Sequence, residues 1–153
     1  IVRFLDYPIR VTYIGRLDKD SRGLLLMTNN GDIINRMMRA ANHHEKEYKV
    51  TVDHEITGEF LEKMAGGVAI LDTVTRPCKV EKLGKYTFSI ILTQGLNRQI
   101  RRMCEALGYE VKDLVRVRVM NIRLGSLREG EYREVTDEEL DELYRLIQDT
   151  PMR

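Results

Sequence analysis

The first feature of the sequence that could do chemistry is an aspartate in a charged turn with glycines at both ends. Asp18 lies between Gly15 and Gly23, and the turn holds three cations: Arg16, Lys19 and Arg22. Because nearby cations favour the ionised form of a carboxylate, Asp18 is suited to serve as a nucleophile or general base at neutral pH. A solvated acidic turn without a chemical role is the alternative, and this segment alone does not exclude it.

Tyr48 is the second candidate, and it lies in a segment whose pattern is typical of a half-buried strand. Residues 46–52 alternate, with Tyr48, Val50 and Val52 on one face and polar side chains on the other. An aromatic ring on such a strand either faces a substrate or packs inward against the core. The alternation fits both arrangements equally well.

Three arginines at the start of a predicted helix form the third candidate feature. In residues 97–108, four apolar side chains recur at helical spacing and predict a core-facing stripe: Ile100, Met103, Cys104 and Leu107. Asn97 is placed to cap this helix, and Gly108 is placed to end it. The opposite face carries three cations: Arg98, Arg101 and Arg102. Since cations in the first turns oppose the helix dipole, and a bound anion would offset that conflict, we favour a polyanion site over a solvated face.

The charge distribution also favours a polyanionic partner, although the net charge of the whole chain is only +1. Residues 98–128 contain eight Lys or Arg and three acidic residues, which is a balance of +5. Residues 129–149 contain nine acidic residues and two arginines, which is a balance of −7. A basic block beside an acidic one predicts a face that binds a polyanion and a solvated acidic helix elsewhere.

Length and composition indicate a single domain over residues 1–153. A chain of 153 residues with 42% hydrophobic content is enough for one core. The sequence has no apolar run of about 20 residues, the length that crosses a membrane, and no signal-peptide pattern. Cys78 and Cys104 are isolated, and His43 and His44 have no further ligands at suitable spacing, so we expect no metal site. Because the first residue is Ile, we expect a fragment of a longer chain.

The elements that must position these residues are predicted from periodicity and turn signals. We expect an apolar strand directly after the Asp18 turn, and further strands at residues 10–14, 46–52, 68–71, 74–80 and 86–93. Helices are predicted at 32–41, from the cap Thr57 to 65, and from a capping box at Thr136 onward. In a last strand, three valines are expected to face inward: Val115, Val117 and Val119. Arg116 and Arg118 are then expected to face outward as phosphate contacts.

Several segments, in this order, resemble motifs of the pseudouridine synthases in the branch that includes RsuA, RluB, RluE and RluF. The segments are Gly15-Arg16-Leu17-Asp18 with Ser21 to Leu26, Lys46-Glu47-Tyr48, Asn97 to Met103, and Tyr109 to Met120. The amino-acid sequences of the later segments are most similar to the RluF type. The resemblance implies an α+β, pseudouridine synthase-like fold: a mixed, mostly antiparallel sheet with flanking helices and a central active-site cleft. It also implies a catalytic domain without the upstream RNA-binding module and first strand that relatives carry.

The resemblance implies roles for individual residues. Asp18 would be the nucleophile, Tyr48 would stack on the target base and is a candidate to remove a sugar proton, and Arg101 would pair with Asp18. Arg16 would fill the gap left by a flipped nucleotide, and Leu114 would line the pocket wall. The side chains expected to contact RNA are Arg16, Arg22, Asn97, Arg98, Arg102, Arg116 and Arg118.

The implied reaction is the isomerisation of uridine to pseudouridine in ribosomal RNA, of the large subunit first, with transfer RNA as a second possibility. Because this isomerisation changes no oxidation state and adds no group, it implies no cofactor and no metal. We expect a cytoplasmic monomer without a membrane partner. Two other classes stay open: a non-catalytic RNA-binding domain in which Asp18 is structural, and a glycosidase-like hydrolase. The hydrolase needs paired carboxylates, for which Asp20 is the only second acid nearby in sequence.

Overall fold

The computed structural model describes residues 12–14, 17–39 and 44–148. In chain order the elements are β1 (Thr12–Ile14), β2 (Arg22–Gly23), β3 (Leu26–Thr28), α1 (Gly31–Arg39), β4 (Lys46–Val52), α2 (Gly58–Gly66), β5 (Ala69–Ile70), β6 (Thr73–Val74), β7 (Lys79–Lys82), β8 (Thr87–Leu92), α3 (Gln99–Ala106), β9 (Val111–Val119), β10 (Ile122–Arg123) and α4 (Asp137–Gln148). No helix among these residues has the length and apolar composition to cross a membrane.

The main sheet is mixed and mostly antiparallel, as the family resemblance implies. Its strand order is β10-β9-β4-β8-β7, and each of these neighbours pairs antiparallel. The short strand β2 adds a parallel pairing to β9, in which Gly23 lies opposite Arg116. β1 pairs with β3, and β5 pairs with β6, in two small separate ladders. Strand β4 lies at the centre of the sheet, which gives Tyr48 a rigid support.

Two hydrophobic clusters hold the helices against the sheet. The first joins β4, β8 and β9 to α2 and α3, and its members with no exposed surface include Val50, Met64, Phe88, Ile90 and Met103. The second joins α1 and α4 to β3, β10 and the end of β9, through residues such as Ile33, Met37, Ile122, Leu143 and Ile147. Because alternate residues of a strand face opposite sides, β8 supplies Phe88, Ile90 and Leu92 to the first cluster.

The helix start signals of the sequence are confirmed at two positions. The Thr57 hydroxyl oxygen accepts the Phe60 N–H at 3.1 Å at the start of α2. At α4 the Thr136 hydroxyl oxygen accepts the Glu139 N–H at 3.1 Å, and the Glu139 carboxylate accepts the Thr136 N–H at 3.0 Å. These reciprocal bonds form the predicted capping box.

Four local expectations are wrong or only partly met. The apolar strand after the Asp18 turn is divided into β2 and β3, and the predicted strand at 74–80 is divided into β6 and β7. Of the predicted strand 10–14, residues 10 and 11 lie outside the described residues. The predicted cap of α3 is also wrong, because Arg98, and not Asn97, occupies the capping position, in a left-handed conformation with φ +48° and no side-chain capping bond.

The predicted orientation of the β9 arginines is wrong. Arg116 is 2% exposed and Arg118 is 9% exposed, so neither faces solvent. The alternating valines are compatible with one solvent-exposed face, but both faces of β9 are covered. Leu114 belongs to the first cluster and Val119 to the second, and strands pair along both edges of β9.

Candidate active site

The loop that carries Asp18 is closed by its own main chain and held down by β9. The Ser21 N–H donates to the Asp18 carbonyl at 3.0 Å, which makes a tight turn, and Asp18 is partly exposed. The chain then pairs with β9, where the Leu24 N–H donates to the Arg116 carbonyl at 2.8 Å. Only glycine fits at position 23, because φ is +126° and a Cβ would lie 2.3 Å from the Arg116 oxygen. The nucleophile candidate therefore lies on a short loop with a fixed exit.

Helix α3 reaches this loop through Asp20. Arg101 donates from Nη2 to the Asp20 carbonyl at 2.6 Å, and the Arg98 guanidinium lies 3.2 Å from the Asp20 carboxylate. The Nε of Arg101 is buried without a hydrogen-bond partner. Arg101 thus contacts the loop of Asp18 at a carbonyl two residues beyond it. The expected ion pair between Arg101 and the Asp18 carboxylate is absent among the described contacts and stays a prediction.

Tyr48 on β4 lies within electrostatic reach of both Asp18 and Arg116. The side chain is half-buried and packs against the first cluster. Burial raises the pKa of the Tyr48 phenol, the charge and hydrogen bond of Arg116 oppose that rise, and the negative charge of Asp18 adds to it. The structure therefore brings Asp18, Tyr48 and the α3 arginines to one region, as the order of motifs suggests.

Arg116 and Arg118 are fully engaged inside the protein, in contrast to the outward phosphate contacts expected from sequence. Arg116 donates from Nε to the Leu24 carbonyl at 2.9 Å, and its guanidinium acts on the phenol of Tyr48, which lies opposite it in the β4–β9 ladder. Arg118 donates to the carboxylates of Glu47 at 3.0 Å and Glu45 at 3.1 Å, and to the Met120 carbonyl at 2.5 Å. Buried guanidinium groups require such acceptors, and here they have them. A role in phosphate binding is therefore not supported for either residue.

The remaining cationic candidates are nearer the surface. Arg22 is exposed and binds both carboxylate oxygens of Asp113, at 3.0 and 2.8 Å. This side-chain pair raises the pKa of Arg22 and lowers the pKa of Asp113. Arg102 donates to the carbonyl and side-chain oxygen of Asn97 at 3.0 and 2.9 Å, which braces the loop before α3.

Two other expected residues are not brought to the Asp18 region by any described contact. Arg16 lies outside the described residues. Leu114 is 4% exposed, pairs opposite Val50 and belongs to the first hydrophobic cluster, so its contacts are those of a core residue. Its role in lining a pocket stays a prediction, as does the central cleft.

Sequence reasoning missed the roles of Asp20 and Arg116. Asp20 offers its carboxylate to Arg98 and its carbonyl to Arg101, and its position two residues after Asp18 was the only sequence signal. Arg116 carries no such signal, because alternation of valine and arginine is also the pattern of a half-exposed strand. Only the parallel pairing of β2 with β9 brings Arg116 to the Asp18 loop.

Comparison with solved structures defines the class of protein. A crystal structure of a pseudouridylate synthase matches with a TM-score of 0.85 and 34% identity, over 92% of this chain and 64% of that chain. The archaeal box H/ACA Nop10–Cbf5 complex matches with a TM-score of 0.54 and 17% identity, which is evidence for the fold alone. The α+β fold is therefore that of the pseudouridine synthases.

Sequence comparison gives the family. Residues 2–106 match the family model described as RNA pseudouridylate synthase. The dual-specificity RNA pseudouridine synthase RluF of Escherichia coli K12 is 56% identical over 98% of this chain and 52% of its own length. The ribosomal large subunit pseudouridine synthase B of Bacillus subtilis is 38% identical over 94% of this chain and 61% of its own. This chain belongs to the RNA pseudouridylate synthase family, and it spans about half the length of the E. coli relative.

Proposed function

We propose that this protein isomerises a uridine to pseudouridine in ribosomal RNA, with Asp18 as the nucleophile. The observation that carries the proposal is the convergence of three separate segments. The Asp18 loop bonds Arg101 of α3 through the Asp20 carbonyl, and the charge of Asp18 acts on Tyr48 of β4. These are the three residues that the family motifs single out, and they approach one another within a chain that belongs to the family.

The reaction requires only that one glycosidic bond be exchanged for another. The bond between uracil N1 and the sugar C1′ breaks, the base rotates, and carbon 5 forms a new bond to C1′. Carbon 5 then loses its proton while N1 gains one, so atoms and charge balance within the nucleotide. A carboxylate, an aromatic platform and a proton acceptor suffice for these steps.

Each of the three residues has a role that fits its surroundings. Asp18 is partly exposed on a closed loop, so its carboxylate is accessible to a nucleoside. Tyr48 stands on the central strand, where its ring would stack on the target base. Its hydroxyl would take up a proton from the sugar and return it before the product leaves, so that the sugar is unchanged. Arg101 would turn from the Asp20 carbonyl toward the Asp18 carboxylate and keep it ionised.

RNA binding would use the arginines at the start of α3. The target nucleotide must leave its stack to reach Asp18, which costs a few kcal/mol, and we propose that Arg16 fills the gap. Arg98 and Arg102 are partly exposed and lie beside the Asp18 loop, so they are our candidates for phosphate contacts. Their present partners are Asp20 and Asn97, which phosphate oxygens would replace or join.

The finer proposal is large-subunit ribosomal RNA as the substrate. The name of one relative, the ribosomal large subunit pseudouridine synthase B of Bacillus subtilis, supports this class. A transfer RNA is the second substrate to test, since one relative is named for dual specificity. We further propose that the protein acts as a monomer in the cytoplasm, where these RNAs are modified.

The function is tested by tritium release from RNA labelled at uracil carbon 5. Ribosomal RNA from cells that lack the modification is incubated with the protein or with Asp18→Asn, and a labelled transfer RNA is run in parallel. We expect release with the wild-type protein and a loss of at least about 10³-fold in the variant, because the amide is not a nucleophile.

The other outcomes separate the alternatives. Equal release by both proteins would remove Asp18 from its role. Binding of RNA without release by either protein would favour the non-catalytic RNA-binding domain. Recovery of free uracil from the RNA would favour a hydrolase.

A further inference from the structure

Arg116 is a buried cation that belongs to neither hydrophobic cluster and does not lie on an exposed face. Its side chain is 2% exposed, and burial lowers its pKa, which means that the charge is held at a cost in solvation. Such a group is retained only where its acceptors are specifically arranged. Its described partners are Leu24, which follows the Asp18 loop, and Tyr48 of β4.

The Arg116 guanidinium joins these two segments directly. Its Nε donates to the Leu24 carbonyl at 2.9 Å, directly after the β2 strand that ends the Asp18 loop. The same residue lies opposite Tyr48 in the β4–β9 ladder, and its guanidinium acts on the Tyr48 phenol. The main chain of Arg116 holds the same loop, because its carbonyl accepts the Leu24 N–H at 2.8 Å. Arg116 therefore contacts the loop through both its main chain and its side chain.

The local register of the sheet aims Tyr48 at Arg116. The β4–β9 pairing shifts between Glu47 and Tyr48, and after this irregularity Tyr48 lies opposite Arg116. Irregularities of this kind are a common way to redirect a side chain near a functional site. On its other edge, Tyr48 lies opposite the apolar Ile90 of β8. The charged groups that act on the phenol are Arg116 of β9 and Asp18 of the loop. Lys46, two residues away on β4, interacts with Arg116.

We infer that Arg116 is a positioning residue for the reaction, which fixes the Tyr48 hydroxyl relative to the Asp18 loop. The inference rests on the proposed function for its catalytic consequence, but the contacts themselves do not depend on it. A planar guanidinium with several N–H donors reaches the Leu24 carbonyl and the Tyr48 hydroxyl together. A lysine ammonium keeps the positive charge but lacks the planar set of N–H donors.

The first experiment measures the titration of Tyr48 in the protein without RNA. Tyrosine labelled with ¹³C at Cζ is followed by NMR against pH, and the Tyr48 signal is assigned by its absence in Tyr48→Phe. In Arg116→Met we expect the Tyr48 pKa to rise further, by about one unit, because the cation that opposes the effect of burial is gone. In Arg116→Lys we expect a smaller rise.

The second experiment measures tritium release under steady-state conditions. Replacement of the planar guanidinium in Arg116→Lys is expected to lower kcat by about 100-fold and to leave KM within about twofold of the wild-type value. Misplaced catalytic groups affect the chemical step most. Arg118→Lys is the matched control. It removes a guanidinium of the same strand that binds Glu45 and Glu47 and does not contact Tyr48. In that control the titration of Tyr48 is expected to stay at its wild-type position.

The inference is overturned if Tyr48 titrates as in the wild type when Arg116 is changed to Met or Lys. It is also overturned if Arg116→Lys keeps the wild-type kcat. If Arg116→Met does not fold, Arg116→Lys alone decides, because it retains the buried charge. Should the wild-type protein release no tritium, the proposed function fails, and the Tyr48 titration still decides whether Arg116 holds the phenol.

Discussion

The arginines of α3 and those of β9 are closely spaced in the sequence in a similar way. In the structure the first group is partly exposed and the second is buried. Arg98, Arg101 and Arg102 are partly exposed, and each is attached to a neighbouring loop by one or two contacts. Arg116 and Arg118 are buried and fully engaged with carbonyl, carboxylate and hydroxyl acceptors. The basic block of residues 98–128 therefore contains two groups of arginines. One is partly exposed and available to the proposed RNA substrate, and the other organises the protein.

The difference shows why charge counts overestimate a binding face. Acidic residues from distant parts of the chain neutralise much of the basic block, as with Glu45 and Glu47 at Arg118 and Asp20 at Arg98. Exposed ion pairs contribute about 0–1 kcal/mol and are easily exchanged for phosphate. Breaking a buried pair costs about 3–5 kcal/mol, so those arginines do not move to meet a ligand.

The largest effect is expected for Arg118→Met, which tests the buried group. The change leaves two carboxylates and the Met120 carbonyl without their donor. Because the Glu45 side chain is 50% exposed and that of Glu47 22%, we expect a loss of about 2–3 kcal/mol in the free energy of unfolding, less than for a fully buried pair. Urea unfolding measures this as a lower midpoint at unchanged m-value. A change within about 0.5 kcal/mol, as is usual for surface substitutions, would place Arg118 with the α3 arginines and break the comparison.

The partly exposed group is tested by Arg98→Gln and Arg102→Gln. We expect each to weaken RNA binding by about 3- to 10-fold and to reduce the slope of log Kobs against log salt by about 0.7–0.9, because one phosphate contact is lost. Stability should change little. Binding titrations at several salt concentrations measure both quantities, and Arg145→Gln on α4 is the control of equal charge. The same loss of affinity in that control would assign the effect to net charge alone.

The smallest effect is expected for Asp20→Asn, which tests the ion pair between the Asp18 loop and the start of α3. The carboxylate competes with phosphate for Arg98, so its removal should tighten RNA binding by about 2- to 5-fold at low salt. The Asp20 carbonyl that accepts from Arg101 is unchanged by this substitution. Glu62→Gln on α2 serves as a control for net charge. Weaker binding by Asp20→Asn would mean that this ion pair supports the RNA-bound state.

Much of the fold and part of the site could be predicted from sequence. The capping box at Thr136, the cap at Thr57, the apolar stripe of α3 and the alternation of β4 are read from neighbouring residues, and the structure confirms them. The convergence of the Asp18, Tyr48 and Arg101 segments came from the family resemblance. The capping role of Asn97 was wrong, because its side chain accepts from Arg102 and so serves the loop instead.

The sequence by itself determined the features that depend on residues a few positions apart. Periodicity, capping and the charged turn at Asp18 are of this kind, because their geometry is set by the local backbone. Tertiary structure decided which arginines are buried and which partners they have. Arg22 meets Asp113, Arg118 meets Glu47, and Arg116 meets Leu24 and Tyr48, each across long stretches of chain. These contacts exist because β9 pairs antiparallel with β4 and parallel with β2, and no local pattern encodes those pairings.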